Sequence, residues 1–463
     1  MIDTSTYKQR RAALRQKTGK GILVFLGNDQ VGMNYRDNWY HFRQDSTFLY
    51  LTGLDLAGLA LVIDIDSDTE TLYGNDATID DIVWMGKVPK VKELAENAGI
   101  ARTAPLADLK NIFSSTNLPV IKYLPPYRSD HYIWLQQLTG YTNAEIDAKV
   151  SVPLIKAVVA LRSVKSLDEI AEISKAVNVT NAMQLKAMHY AKAGMTEAEI
   201  AGQLQAVAIA GGGDLSFPTI LTTKGETLHI HYTSDVVQAG RLLLVDCGAE
   251  LHNRYPGDLT RTFPVDKTFT GIQKDVYNIV LNAQQSASDA LKPGIRYLDV
   301  HLLAAEKLVD GLKELGLMKG DSKEAVANHA HTLFFQCGLG HMLGLDIHDM
   351  ENLGEKYVGY TEDMEKSKIF GLKSLRLARK LEPGFVLTVE PGLYFIPTLM
   401  DIWQKENKLS QFINYDKLDQ FRNFSGIRIE ENYAITNDGA QLLGDPLVKD
   451  VAGIEEIRKQ VLS

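Results

Sequence analysis

Apolar, strand-like runs that end on an acid place the tightest constraint on how this chain folds. In Leu242-Leu243-Leu244-Val245-Asp246-Cys247-Gly248, four aliphatic residues lead straight into a carboxylate. Val386-Leu387-Thr388-Val389-Glu390-Pro391-Gly392 does the same and follows the acid with a forced turn. Gly426-Ile427-Arg428-Ile429-Glu430-Glu431-Asn432 is a third instance. Runs this apolar read as buried strands. A carboxylate at a buried strand end is costly unless a cation or several donors face it. The fold must therefore supply positive charge to each of these ends.

Twelve residues after Asp246 comes Gly257-Asp258-Leu259-Thr260-Arg261-Thr262-Phe263-Pro264, a second acid in a strand-like setting. An antiparallel hairpin would set Asp246 beside Asp258, and adjacent carboxylates repel unless a metal lies between them. A further cluster reads Cys337-Gly338-Leu339-Gly340-His341-Met342-Leu343-Gly344, followed by Asp346, His348 and Asp349. A histidine among glycines is a poor core filler, neutral imidazole is a common metal ligand, and glycine lets backbone approach closely. Taken singly, each piece has an ordinary use: an Asx turn, a structural histidine, a surface ion pair. Together they make four carboxylates and one imidazole, a set suited to two divalent ions, with Mn, Co or Zn favoured over a thiolate-type site. Two such ions share a water, lower its pKa and stabilise an oxyanion, which predicts hydrolysis. Period 2 sets Arg428 on the face of Glu430, where a guanidinium orients carboxylates.

The chain has 463 residues, enough for two or three domains. Its first part alternates strand-like Ile22–Leu26 and Leu59–Ile65 with helix-like Val88–Ala98, which stops at Gly99; this predicts an α/β domain. Gly19-x-Gly21 precedes a strand rather than linking strand to helix, so it is no dinucleotide loop. The texture changes near residue 160, giving an N-terminal domain over 1–160 and a C-terminal domain over 161–463. Ser166-Leu167-Asp168-Glu169 is a capping box opening a helix with Ile170, Ile173 and Val177 on one face. Thr196-Glu197-Ala198-Glu199 repeats the device, and a third helix is expected over Gln273–Leu291, ending at Lys292-Pro293-Gly294.

A net charge of −9 gives no electrostatic case for nucleic acid or an anionic membrane. Cys247 and Cys337 lie far apart in sequence, without CxxC or zinc spacing, so no disulfide framework is expected. The N-terminus, Met1-Ile2-Asp3-Thr4, shows no secretory pattern, and runs such as Leu59–Ile63 are too short to cross a bilayer. The expectation is a cytoplasmic protein.

These residues resemble the pita-bread metallopeptidases, the family of prolidase, aminopeptidase P and methionine aminopeptidase. The resemblance rests on Asp246-Cys247-Gly248, Gly257–Pro264, Gly338-Leu339-Gly340-His341, Thr388-Val389-Glu390-Pro391-Gly392 and Gly426–Glu430. It extends to Phe42–Gly53, similar to a signature of prolidases and aminopeptidases P; methionine aminopeptidases lack that domain. It implies a ribonuclease H-like α/β N-terminal domain of creatinase/prolidase type, plus an α+β pita-bread catalytic domain. By it, Asp246 holds one metal through both oxygens, Asp258 and Glu430 bridge the pair, and His341 and Glu390 complete the other. His231 and His348 match histidines that contact substrate and stabilise the tetrahedral intermediate, Arg428 supports the bridging acids, and Glu390 doubles as proton carrier.

Two metal ions, Mn first and otherwise Co, Zn or Fe, and a homodimer are implied. The substrates would be Xaa-Pro peptides, cut by metal-bound hydroxide. Gly371–Leu381 is similar to a stretch of eukaryotic-type prolidases in which the match to Arg376 grips a dipeptide's free carboxylate; its ordinary reading is a helical surface insertion. Dipeptides are thus the expected substrate, aminopeptidase P action on longer peptides the alternative, and a non-catalytic binding protein the remote one. Two features depart from the family. Cys337 stands where His-Gly-Leu-Gly-His begins with histidine, and the Asp246–Asp258 spacing is one residue longer, placed at His252-Asn253-Arg254.

Overall fold

The computed structural model describes residues 3–114 and 116–462; Met1 and Ile2, part of the N-terminal stretch read above, lie outside the described residues. Two compact units emerge. One comprises the chain up to Arg162 together with Met350–Tyr357, the other Ser163–Asp349 with Val358–Ser463.

The first unit is built on a five-stranded mixed sheet. Its strands are β1 (Ile22–Leu26), β2 (Ala60–Asp64), β3 (Thr69–Tyr73), β4 (Arg102–Ala104) and β5 (Ile121–Lys122), in spatial order β4-β3-β2-β1-β5. β2 pairs antiparallel with both β1 and β3, while the flanking pairs β1·β5 and β3·β4 are parallel. β1 has the span read from the sequence. The helix expected at Val88–Ala98 begins later, at Val91, and ends at Gly99 in the left-handed region (φ 68°), a conformation glycine adopts without a Cβ clash.

The second unit carries the site. Its strands are β6 (Gly213–Leu215), β7 (Ile220–Thr222), β8 (Leu242–Cys247), β9 (Ala249–Leu251), β10 (Leu259–Pro264), β11 (Val386–Val389), β12 (Gly392–Tyr394), β13 (Gly426–Arg428), β14 (Glu431–Ile435) and β15 (Ala440–Leu442). They form small sheets ordered β10-β8-β7, β11-β14-β15, β12-β13 and β6-β9. Ser166, Thr196 and Thr270 each close a capping box, which fixes where the helices Leu167–Tyr190, Glu197–Ala210 and Gly271–Asp289 begin. Ile173 and Val177 are fully buried, and Ile170, the third residue of that face, is half-buried. Gln184 Nε2 from the first of these helices donates to the carbonyls of Val245 (3.0 Å) and Leu259 (2.7 Å), tying the helix to β8 and β10.

β8 and β10 pair antiparallel, but no simple hairpin joins them. β9 leaves to pair with β6, and Arg254 takes a positive φ of 68° in the turn that follows it. No helix among the described residues is long and apolar enough to cross a membrane.

Candidate active site

Asp246 sits in the middle strand of its sheet, opposite Ile220 on one side and Thr260 on the other. Asp258 is therefore two residues out of register with Asp246, on the same face rather than directly beside it. Its backbone is clamped by Asn432, whose Oδ1 accepts from the Asp258 amide (3.0 Å) and whose Nδ2 donates to the Asp258 carbonyl. Glu430 enters from between β13 and β14: its amide donates to the Thr260 carbonyl (3.1 Å), and its Oε2 accepts from Thr260 Oγ1 (2.8 Å).

His341 arrives on an irregular segment laid along β11. Its amide donates to Thr388 Oγ1 (3.1 Å), and its carbonyl accepts from the Thr388 amide (3.0 Å). Gly340 makes this approach possible, because a Cβ there would lie 2.1 Å from the Thr388 carbonyl oxygen. His341 Nδ1 lies 3.0 Å from the Met342 carbonyl and is the ring nitrogen that donates. That tautomer leaves the Nε2 lone pair facing Asp258 Oδ2 and Glu390 Oε1, each 3.5 Å away.

Ligand atoms of Asp258, His341 and Glu430 all lie within 4.8 Å of one another, a group able to hold a metal ion. All three are buried, as is Asp246, whose Oδ1 accepts no hydrogen bond from the described residues. Burial pushes the carboxyls of Asp258 and Glu430 well above their usual range. Repulsion adds to it, from Asp246 and Glu390 on Asp258, and from Asp258 and Glu390 on Glu430. Asp246 is raised by burial too, with Arg428 opposing the rise. Four acids cannot all stay ionised here without added positive charge, and one guanidinium does not balance them. Oxygen donors with one oriented imidazole, an orphaned carboxylate oxygen and this excess of negative charge fit divalent metal ions.

Arg428 is buried, so the surface-pair reading fails. Its contacts differ from the expected ones. Nη2 binds Asp246 Oδ2 (2.6 Å), Nε binds Thr260 Oγ1 (3.1 Å) and Nη1 binds Tyr394 Oη (3.0 Å). It steadies Asp246 directly and reaches Glu430 only through Thr260. Glu431, the neighbouring acid, points elsewhere and pairs with the buried Arg261 (2.5 Å).

His348 stacks edge-on to His341, with ring centroids 4.2 Å apart. His231 is exposed, as is His229 two residues earlier, and His231 Nδ1 lies 3.3 Å from the Pro218 carbonyl. His229 differs in feeling Arg428, Arg376, Asp246 and Glu390, and partial desolvation followed by the two arginines lowers its pKa. The repeated His-x-His was the sequence signal that could have raised this choice. His229→Ala is expected to lower kcat/KM by roughly 10- to 100-fold and His231→Ala by less than about threefold, with both proteins loading metal normally. Steady-state kinetics of the two variants decide it, and the reverse order would return the assignment to His231.

Arg376 lies in a segment that is irregular apart from a short turn at Leu372–Ser374, not in a surface helix. It is half-buried and contributes to the field at both His229 and Cys337. Cys337 Sγ lies 3.8 Å from Tyr394 Oη, and burial, then Glu390, pushes the thiol up to about 12. The thiol therefore stays neutral at pH 7 and carries no imidazolium-like charge. Thr260, Arg261, Asn432 and Tyr394 were present in or near the sequence motifs but had no role until their partners were known.

Strand-borne acids and one imidazole converging in this way, on a fold of this type, define a metal-dependent hydrolase. The pattern of metallopeptidase family M24 matches residues 171–437, and that of the aminopeptidase P N-terminal domain matches residues 7–118. The chain is 32% identical over 443 residues to a probable Xaa-Pro aminopeptidase of Sordaria macrospora, covering 95% of this chain and 92% of that one. To the Xaa-Pro dipeptidase of Homo sapiens it is 30% identical over 432 residues, covering 91% and 85%. The solved structure of Escherichia coli aminopeptidase P with the inhibitor Pro-Leu matches with a TM-score of 0.81 at 26% identity, over 100% of this chain and 99% of that one. The chain belongs to metallopeptidase family M24, with an aminopeptidase P-type N-terminal domain ahead of the pita-bread domain.

Proposed function

We propose that this chain hydrolyses Xaa-Pro dipeptides with two divalent metal ions, Mn first among them, held by Asp246, Asp258, His341, Glu390 and Glu430. The observation carrying the dipeptide reading is the half-buried Arg376, whose charge is felt at His229 and Cys337. Metal bound by these acids supplies Lewis acidity and an activated water at neutral pH. The protein's own groups do the rest. His348 and a histidine of the His229/His231 pair bind the scissile carbonyl oxygen. Glu390, the most exposed of the acids, carries a proton on Oε1 to the leaving proline nitrogen; Thr388 Oγ1, 3.3 Å away, orients it. Arg428 keeps Asp246 aimed.

Arg376 grips the free carboxylate of a dipeptide, which limits substrate length because a longer peptide has no carboxylate at that point. Arg376→Ala should cut kcat/KM for Ala-Pro by about 10- to 100-fold, while changing that for Ala-Pro-Ala-Ala less than about threefold. Equal losses on both peptides would sink the clamp. Preference of the unaltered protein for the longer peptide would favour the second reading, aminopeptidase P, which the likeness to Escherichia coli aminopeptidase P supports.

The chain is also proposed to form a homodimer. In support, the short helix Ile79–Met85 buries none of its side chains, and Ile79, Val83, Trp84 and Met85 are 60–84% exposed. Apolar patches of that kind mark protein contacts. Trp84→Glu should raise the dimer dissociation constant by about tenfold or more in sedimentation; a monomer in the unaltered protein would end this reading.

A further inference from the structure

Away from the acids, the second unit contains a pocket of about 530 Å3. That is ample for a small ligand. Its floor is the helix Tyr297–Glu314, its rim the short helix Ser322–Ala327, and its far wall the segment from Tyr360 to Ala378. Leu298, Leu302, Tyr360, Met364, Leu375 and Ala378 are among its apolar lining residues. Three charged side chains at the same pocket, Lys323, Glu306 and Glu365, have no ion pair among the described residues. Asp299, also on its edge, is neutralised by Arg296 (2.6 Å). An apolar chamber edged by one unpaired ammonium and two unpaired carboxylates matches one ligand chemistry, an apolar side chain carrying both an ammonium and a carboxylate.

The far wall packs on the floor helix. Tyr360, Leu375 and Ala378 form a satellite cluster of their own, backed by Leu298 and Met364. Its polar ties include Tyr360 Oη donating to the Leu375 carbonyl (2.7 Å), the Ala378 and Arg379 amides donating to the Gly359 carbonyl (2.8 and 2.9 Å), and the Leu298 and Tyr297 amides of the floor helix donating to the Ala378 and Arg379 carbonyls (3.2 and 3.0 Å). Arg376 lies between Leu375 and Ala378, so the wall of this pocket is also the mount of the proposed substrate clamp.

We infer that this pocket is a second ligand site that takes a free α-amino acid with a large apolar side chain, and that occupancy displaces the Leu375–Ala378 wall and resets Arg376. Such an amino acid is one product of Xaa-Pro cleavage, so the site would sense the reaction's own output. The coupling half of the inference rests on the clamp reading above; the binding half does not.

The test uses the full-length, metal-loaded protein and L-phenylalanine as probe. Calorimetry should show saturable binding, at least about tenfold weaker for phenethylamine and for phenylpropionate, each lacking one charge. Leu302→Trp, which fills the chamber from a half-buried helix position, should abolish binding. Ala327→Trp, on the exposed rim, should do the same without touching the core. Lys323→Ala and Glu306→Gln should each weaken it. Saturating L-phenylalanine should also shift the Ala-Pro to Ala-Pro-Ala-Ala activity ratio at least threefold in the unaltered protein and not in Leu302→Trp.

Binding that survives both tryptophan variants places the amino acid at the catalytic acids and overturns the inference, as does equal binding of the single-charge analogues. Binding without any shift in the ratio overturns the coupling, provided Arg376→Ala itself changes that ratio. If Arg376→Ala does not, the clamp reading has failed, and the calorimetry alone decides the site.

Discussion

Asp258→Asn is expected to abolish Xaa-Pro hydrolysis, lowering kcat/KM by roughly a thousandfold or more while the protein stays folded. Asp258 is the acid with the least freedom to compensate. Asn432 holds its backbone from both sides, its Oδ2 faces His341 Nε2 at 3.5 Å, and its side chain is almost fully buried. An amide of the same shape has one oxygen instead of two and no charge, and its nitrogen turns a donor toward the cation. The metal-free fold should not suffer, because the substitution removes repulsion from Asp246 and Glu390 that burial makes expensive. Metal should therefore raise the melting temperature of the unaltered protein and have little effect on the variant. Melting curves with and without Mn, alongside metal analysis and Ala-Pro cleavage, check this. A variant with full metal content and a tenth or more of the activity would rule out Asp258 as an essential ligand.

The second large effect falls on stability. Arg261→Leu should destabilise the pita-bread unit by about 3–5 kcal/mol, the cost of leaving a buried partner charge alone. Arg261, on β10, is fully buried. It donates to the carbonyls of Thr260 (3.1 Å), Glu430 (2.8 Å), Val448 (2.9 Å) and Leu447 (3.2 Å), and to Glu431 Oε1 (2.5 Å). Without it, Glu431 keeps only the longer ion pair to Lys449, at 3.7 Å, among the described residues. Because the Glu430 carbonyl loses its donor as well, metal affinity should fall about 10- to 100-fold, the usual cost of loosening the support of a ligand. Arg261→Leu/Glu431→Leu should recover part of the stability but not the metal affinity. Denaturant midpoints and metal titrations of the single and double variants separate the two. A single variant as stable as the parent would show that the pair contributes nothing.

Much of this was legible in the chain itself. Runs such as Leu242–Val245 and Val386–Val389 could only be buried strands, so acids closing them had to meet cations. The capping serines and threonines at 166, 196 and 270 fixed helix starts, because their side chains satisfy amides three residues away. Those are local interactions, and local sequence encodes them.

What the sequence left open was always a choice between neighbours. Glu430 and Glu431 are adjacent acids, and only strand pairing sends the first toward His341's pocket and the second to Arg261. Arg428 shares a face with Glu430, yet its guanidinium ends on Asp246, 182 residues away, because the pairing of β12 with β13 sets its position. His229 and His231 obey the same period and sit in an irregular stretch, so no local rule prefers one. Arg376 needed the Tyr360–Ala378 segment to be seen packed against a helix some 70 residues earlier. Periodicity tells a residue which side of its own strand it occupies. Which other strand lies opposite, and in what register, is settled by contacts between segments far apart in the chain, and these exist only once the tertiary structure has formed.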